Sequence, residues 1–255
     1  RRGRKTTHVV YGEDMAILAG DALLNFAFET AFKAFESCVV DDIKLGDRYE
    51  LVAKALQVLA KKAGIYGMIG GQTADIEAEN KEEVLTGEQL LFIHQHKTAA
   101  LIEASMMIGA ILAGASEKQV EQVRSAAADI GLAFQIQDDI LDVWGDPKTF
   151  GKAVGGDISC NKKTFVYLEA MRLLGEEMGG EKQELQQWYS QVLEDNTEKI
   201  AAVKGILERL CVRPLCELVV DDYTNKALEL LNQLPQNAAT EQLRQLANKL
   251  TTRKD

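Results

Sequence analysis

The stretch FQIQDDILDVWGD, residues 134–146, sets carboxylates into a run otherwise rich in Ile, Leu, Val and Trp. On a helix at about 100° per residue with Asp138 at zero, Asp142 falls at about 40°, Gln135 at about 60° and Asp139 at about 100°. Phe134, Ile136, Ile140, Leu141, Val143 and Trp144 take the opposite arc. The segment therefore reads as an amphipathic helix with its apolar side pinned to a core and its acidic face left free. The plainer meaning of an acidic helix face is a solvated surface. Against it, two carboxylates about 5 Å apart repel by roughly 3 kcal/mol at an effective dielectric near 20, and residues 134–146 hold no Lys or Arg to relieve them. Oxygen ligands without His or Cys point to Mg²⁺, with Mn²⁺ the alternative ion; such an ion takes one or two carboxylates and completes its shell with water and a substrate's phosphates.

A diphosphate bound there needs cations. Lys97, in LFIHQHKTAALIEAS, has Leu90, Ile93, His94, Ala100, Leu101 and Ala104 as helical face neighbours, so its stem is flanked mainly by apolar groups. It either snorkels to water or meets an anion. Lys152 and Lys162 follow the acidic helix, and Arg1, Arg2, Arg4 and Lys5 open the chain; on spacing alone, either group can be ordinary solvated charge.

These residues must be carried by helices. Apolar positions recur at three and four spacing through most of the 255 residues, and only three prolines interrupt them. Helices are expected at about 12–38, 47–63, 66–79, 87–113, 117–145, 163–178, 181–210, 215–233 and 238–252. Breaks are expected at Gly64, GASEK (114–118), MGGEK (178–182) and Pro214. Residues 146–162 have no helical period and read as a binding loop or lid. No linker or repeat divides the chain, so one all-α domain over residues 1–255 is expected.

Composition narrows the partners. A net charge of −10 without a basic tract disfavours nucleic acid and anionic lipid. The longest uncharged apolar run, ASMMIGAILAGA (104–115), falls short of the ~18–20 residues of a membrane span. Four cysteines without paired spacing read as reduced thiols of a cytoplasmic protein. The opening RRGRKTTHVV has neither the apolar core of a signal peptide nor an initiator Met, and is expected to continue a longer chain.

Taken together, the motifs resemble those of trans-isoprenyl diphosphate synthases of the farnesyl and geranylgeranyl diphosphate synthase type. RRGRKTTH resembles that family's RRGxPT segment, YGEDMAILAGDALLNFAF its GE…AILAGDAL helix, and GMIGGQTADIEAE its GGQxxD segment. FIHQHKTAALI resembles its HxxKT motif, GLAFQIQDDILDVWGD its second aspartate-rich motif, and GKAVGGDISCNKKTF the lysine-bearing segment after it. Order and spacing agree from residue 1 to about 166, and TTRKD is similar to the family's basic end.

The resemblance implies an all-α isoprenoid-synthase bundle around a central cavity, usually a homodimer. It also implies a Mg²⁺-dependent prenyltransferase that condenses an allylic diphosphate with isopentenyl diphosphate, giving C15 to C20 products. Carried over by motif, Asp138 and Asp139 would hold or orient Mg²⁺ with Asp142 in support, and Gln135 would face the forming cation. Lys97 would bind the allylic diphosphate, with the Thr98 hydroxyl and nearby carbonyls shielding the cation. Lys152 would join Lys97, Lys162 would close the flap, and Arg1 and Arg2 would contact the two diphosphates. Phe134 fits either core or a place near the reacting tails. Gln72 and Asp75 fit either a cavity wall or a structural role, and Phe26, Phe28 and Phe32 either a cavity floor or plain core.

The family's first aspartate-rich motif, DDxxD, normally precedes RRG, where this chain begins. Half of the metal site is therefore expected upstream, and the piece alone is expected to be inactive. A terpene cyclase would need an Asn, Ser/Thr, Glu triad on one helix, which is not found; a regulatory subunit would typically carry a damaged aspartate motif, whereas this one is intact.

Overall fold

The computed structural model describes residues 4–39, 45–79, 85–146, 154–175 and 179–252. Among them are thirteen α-helices and no strand, as the apolar periodicity requires. In chain order these are α1 (Thr7–Tyr11), α2 (Glu13–Phe32), α3 (Leu45–Ala63), α4 (Met68–Glu79), α5 (Gly87–His94), α6 (Ala100–Leu112) and α7 (Glu117–Trp144). They continue with α8 (Gly156–Ser159), α9 (Phe165–Leu174), α10 (Gly180–Tyr189), α11 (Thr197–Arg209), α12 (Val212–Asn232) and α13 (Ala238–Thr251).

The 28-residue α7 is the central post. Ser116 starts it with a capping box, its hydroxyl taking the Gln119 N–H while the Gln119 side chain takes the Ser116 N–H; this satisfies donors that a helix start leaves open. One half of α7 contributes Val123, Ala126 and Ile130 to a cluster with Ala227, Leu231 and Ala247 of α12 and α13. The other half sends Ile136, Ile140 and Val143 into a larger cluster with α8 to α12. The apolar arc expected for residues 134–146 is thus buried, with Ile136 at 0% and Ile140 at 2% exposure. Removing a side chain such as Ile136 costs about 2–5 kcal/mol when truncated to Ala.

The structure corrects three boundaries. The helix expected at 181–210 is two, α10 and α11, because Asp195 turns its carboxylate onto the N–H and hydroxyl of Thr197, an Asp-Asn-Thr signal for a turn. Pro214 does not break a helix. It lies in the first turn of α12, where a missing N–H costs little, and the reversal falls at Cys211, whose φ is 53°. Within residues 146–162, taken as loop, Gly156–Ser159 form a helical turn.

Helix α2 departs most from expectation. It has no buried residue, and Leu23, Phe26 and Phe32 are 70%, 55% and 55% exposed. Of the two readings of Phe26, Phe28 and Phe32, plain core is not met, since Phe26 and Phe32 face solvent and Phe28 is only half-buried; none of the three lines either described cavity. The stretch Glu13–Glu36 is also long and apolar enough by length and composition to cross a membrane. Counting uncharged runs missed it because Asp21 divides MAILAG from ALLNFAF.

Candidate functional site

Between α5 and α6 the chain makes a π turn, Gln95–Ala99, and this turn carries Lys97 and Thr98. One residue inserted into a helix re-aims the side chains around it, which is why such bulges gather at functional sites. Two glycines let neighbouring helices reach the turn's backbone. A Cβ added to Gly71 of α4 would lie 2.2 Å from Lys97 N, and one added to Gly131 of α7 would lie 2.3 Å from the Ala99 Cβ. Only hydrogen fits at either place. The GGQ segment and the acidic helix therefore grip the turn from two sides.

This close approach sets two side-chain systems. Lys97 Nζ donates to Asp75 Oδ2 of α4, an ion pair with side chains 30% and 10% exposed. Thr98 Oγ1 donates to Gln135 Oε1 at 2.8 Å, and Gln135 Nε2 donates to Asp139 Oδ1 at 3.2 Å. Thr98, Gln135 and Asp139 thus form one hydrogen-bonded chain, while the adjacent Lys97 pairs separately with Asp75, which is both cavity wall and lysine partner.

The acidic face is not the free surface that the helical wheel implied. Asp139 is 3% exposed and Asp142 8%. Asp139 Oδ2 accepts the N–H of Phe165 at 3.1 Å, the first residue of α9, where open N–H groups favour an anion. Asp142 Oδ2 accepts the Asp157 N–H at 3.0 Å, and its carbonyl accepts the Gly155 N–H at 2.6 Å. Burial, then the charge of Asp157, push the Asp139 carboxyl up to about 7 against the Phe165 and Gln135 hydrogen bonds and Lys162. Asp138 is half-buried at the edge of the same face. Two of the three aspartates thus tie the 154–165 segment to α7, a role that the wheel could not show because their partners come from later in the chain.

Among the described residues no group of three or more His, Cys, Asp or Glu converges as a closed metal site. The described carboxylates do not by themselves form a cage around an ion. They do fit Mg²⁺, which takes one or two carboxylates and leaves the rest of its shell to water and phosphate.

Lys162 lines a cavity of about 510 Å³ together with Asp75, Glu79, Tyr167 and Tyr189. Burial works against its charge, but Asp157, Asp75, Asp139 and Glu79 outweigh burial and hold its pKa above the ordinary lysine value. Its Nζ lies 4.0 Å from Asp157 Oδ1. Arg1, Arg2 and Lys152 lie outside the described residues.

Sequence reasoning gave His94 no role beyond that of a neighbour to Lys97. It is 5% exposed, its Nε2 lies 3.8 Å from Asp139 Oδ2, and its Nδ1 is buried without a hydrogen-bond partner. Burial first, then Lys162 and Lys97 against the opposing charge of Asp75, pull its pKa down to about 4. It is neutral at pH 7. The readable signal was its position three residues before Lys97, on the same helical face.

The family model for polyprenyl synthetase matches residues 1–209. The heterodimeric geranylgeranyl pyrophosphate synthase large subunit 1, chloroplastic, of Arabidopsis thaliana is 41% identical over 217 residues, covering 84% of this chain and 55% of the relative. The farnesyl diphosphate synthase of Geobacillus stearothermophilus is 44% identical over 165 residues, covering 65% and 52%. The chain spans about half the length of the curated relatives it matches. Among solved structures, a geranylgeranyl pyrophosphate synthase superposes with a TM-score of 0.82 at 31% identity over 100% of this chain and 73% of that one. One from Corynebacterium glutamicum, complexed with isoprenyl diphosphate and magnesium, gives 0.78 at 26% identity over 98% and 66%.

Proposed function

The chain belongs to the polyprenyl synthetase family, and from that premise we propose that its site serves a prenyltransferase joining an allylic diphosphate to isopentenyl diphosphate. The allylic C–O bond breaks and its electron pair leaves with the diphosphate. The double bond of isopentenyl diphosphate attacks the cation, and a proton is lost to give a trans-prenyl diphosphate five carbons longer, of C15 to C20 size.

When bound, Mg²⁺ would supply Lewis-acid stabilisation of the leaving diphosphate, held by Asp138 with Asp139 and Asp142 setting the face; Mn²⁺ is the substitute ion. The chain's own groups do the positioning. Lys97 presents three donors and gives one to Asp75, so an arriving diphosphate meets an aimed ammonium. Thr98 commits its only hydroxyl hydrogen to Gln135, so its oxygen can offer only lone pairs to a neighbouring cation. By motif, nearby carbonyls would join it. Lys162 and, by motif, Lys152, Arg1 and Arg2 would complete the cationic frame around the two diphosphates. The single observation carrying this reading is the Thr98–Gln135–Asp139 chain standing beside the Lys97–Asp75 pair.

The reading extends to the rest of the protein as one domain over residues 1–255, supported by α7 and α12 running through both apolar clusters. It includes a homodimer, for which the uncovered apolar side of α2 is suitable. It includes no membrane span, because Asp21 sits within the apolar stretch and a carboxylate at the bilayer centre costs about 3 kcal/mol. A cytoplasmic setting follows from the thiol usage; a chloroplastic relative makes the plastid the place a localisation experiment must separate from it.

The test is direct. The full-length protein carrying this chain is incubated with Mg²⁺, isopentenyl diphosphate and each allylic diphosphate in turn, and product length is measured. No product from any primer rejects the proposal. Release of a hydrocarbon or alcohol from one substrate alone would replace it with a cyclase.

A further inference from the structure

Lys199 stands in the first turn of α11 and is the largest side chain that is entirely enclosed, with 0% exposure. Among the described residues no carboxylate pairs with it. Its Nζ donates to Asn161 Oδ1 and, at 3.0 Å, to the Gln191 carbonyl. Asn161 in turn donates its Nδ2–H to that same carbonyl at 3.0 Å. An enclosed ammonium with only neutral acceptors is an unfavourable device for stability, since a burying protein prefers an apolar side chain or a paired charge. Burial accordingly pulls the Lys199 pKa below the ordinary lysine value.

What the three-membered brace holds is specific. Asn161 has φ 58°, a left-handed backbone conformation uncommon outside glycine. It directly precedes Lys162, whose N–H donates to the Asp157 carbonyl at 2.8 Å and whose carbonyl accepts the Thr164 N–H at 3.0 Å. The Asn161 side chain is held at both ends, by Lys199 at the oxygen and by Gln191 at the nitrogen. The direction in which the chain leaves this turn decides where the Lys162 ammonium stands in the 510 Å³ cavity.

We propose that Lys199 is a positioning residue for Lys162: through the Asn161 side chain it fixes the left-handed turn that aims the Lys162 ammonium at the diphosphate. This rests on the diphosphate-binding reading of Lys162 above and adds to it a residue from the C-terminal helices, which the motif comparison left without a role.

The experiment uses the intact protein carrying this chain. Lys199→Met keeps most of the side-chain volume while removing the donors. It is expected to raise KM for the allylic diphosphate about tenfold or more, with kcat changed less and the thermal transition retained. Asn161→Gly tolerates the positive φ but lacks the tether, and is expected to match it. Lys162→Ala and the double variant Lys162→Ala/Lys199→Met are expected to be equally impaired. Amide exchange at residues 160–164 is expected to quicken in Lys199→Met, a readout independent of turnover. Wild-type turnover judges the diphosphate reading itself; the ratios between variants and the exchange rates judge the brace. Unchanged KM and exchange in Lys199→Met, or losses that add in the double variant, overturn it. If Lys199→Met does not fold, Asn161→Gly decides by the same two measurements.

Discussion

Thr98 and Gln135 face each other across the seam between the π turn and α7, the threonine hydroxyl donating to the glutamine carbonyl at 2.8 Å. The direction of that bond leaves Gln135 Nε2 to donate to Asp139, so one glutamine fixes the roles of both neighbours. Gln135→Leu is expected to lower kcat by about one to two orders of magnitude. It strands two partly buried partners, each worth about 1–3 kcal/mol. Thr98→Val should lose a similar factor while melting within a few degrees of wild type. Steady-state turnover set beside calorimetry separates the two effects.

The three aspartates are expected to divide by consequence. Asp138→Ala should cost turnover by orders of magnitude, because on the proposed function it removes a carboxylate that would hold the ion. Asp139→Ala and Asp142→Ala should in addition destabilise the fold by about 1–3 kcal/mol, since the N–H groups of Phe165 and Asp157 lose their acceptors. Urea unfolding of the three variants checks this. Activity surviving in Asp138→Ala with collapsed stability would make that aspartate structural.

Gly131→Ala and Gly71→Ala are each expected to destabilise by about 1–3 kcal/mol through overpacking, and to depress activity more than that loss accounts for, because both displace the turn bearing Lys97 and Thr98. Combining Gly131→Ala with Ala99→Gly should recover little of the loss, because the Ala99 Cα, 2.5 Å from the added Cβ, remains in place. Full recovery in urea denaturation would count against that backbone contact.

His94 and Asp139 give pH effects of opposite sign. His94 has its folded pKa pulled down to about 4 from 6.5, so between those values the unfolded chain binds the extra proton. Relative to His94→Gln, wild type should lose stability as pH falls from about 6.5 to about 4, with a slope of at most roughly 1.4 kcal/mol per unit. The Asp139 carboxyl is raised from 3.8 to about 7; there the folded state holds the extra proton. Relative to Asp139→Asn, wild type should lose stability as pH rises from about 4 to about 7. Denaturation at stepped pH reads both differences, and equal signs would refute the assignment.

Much of the helical order was legible because apolar residues at three and four spacing have no other low-energy arrangement. The buried arc of Ile136, Ile140 and Val143 followed from the wheel alone. The pairing of Lys97 with Asp75, the burial of Asp139 and Asp142 and the brace at Lys199 were not legible, since each depends on a residue distant in the chain whose approach is set by packing. The split at 190–196 could have been read from Asp195, Asn196 and Thr197, whose side chains compete for the backbone. Helix α2 looked like core by composition and lies uncovered, because hydropathy describes what a surface prefers and not what reaches it.

The paired glycines flanking the π turn also determine how the site yields to force. No side-chain layer separates α4, the turn and α7 at Gly71 and Gly131, so nothing compliant lies between them. A displacement of α7 is therefore expected to move the segment carrying Lys97 and Thr98, and α4 with it. Close backbone contact at Gly71 and Gly131 leaves these three elements little room to shift independently.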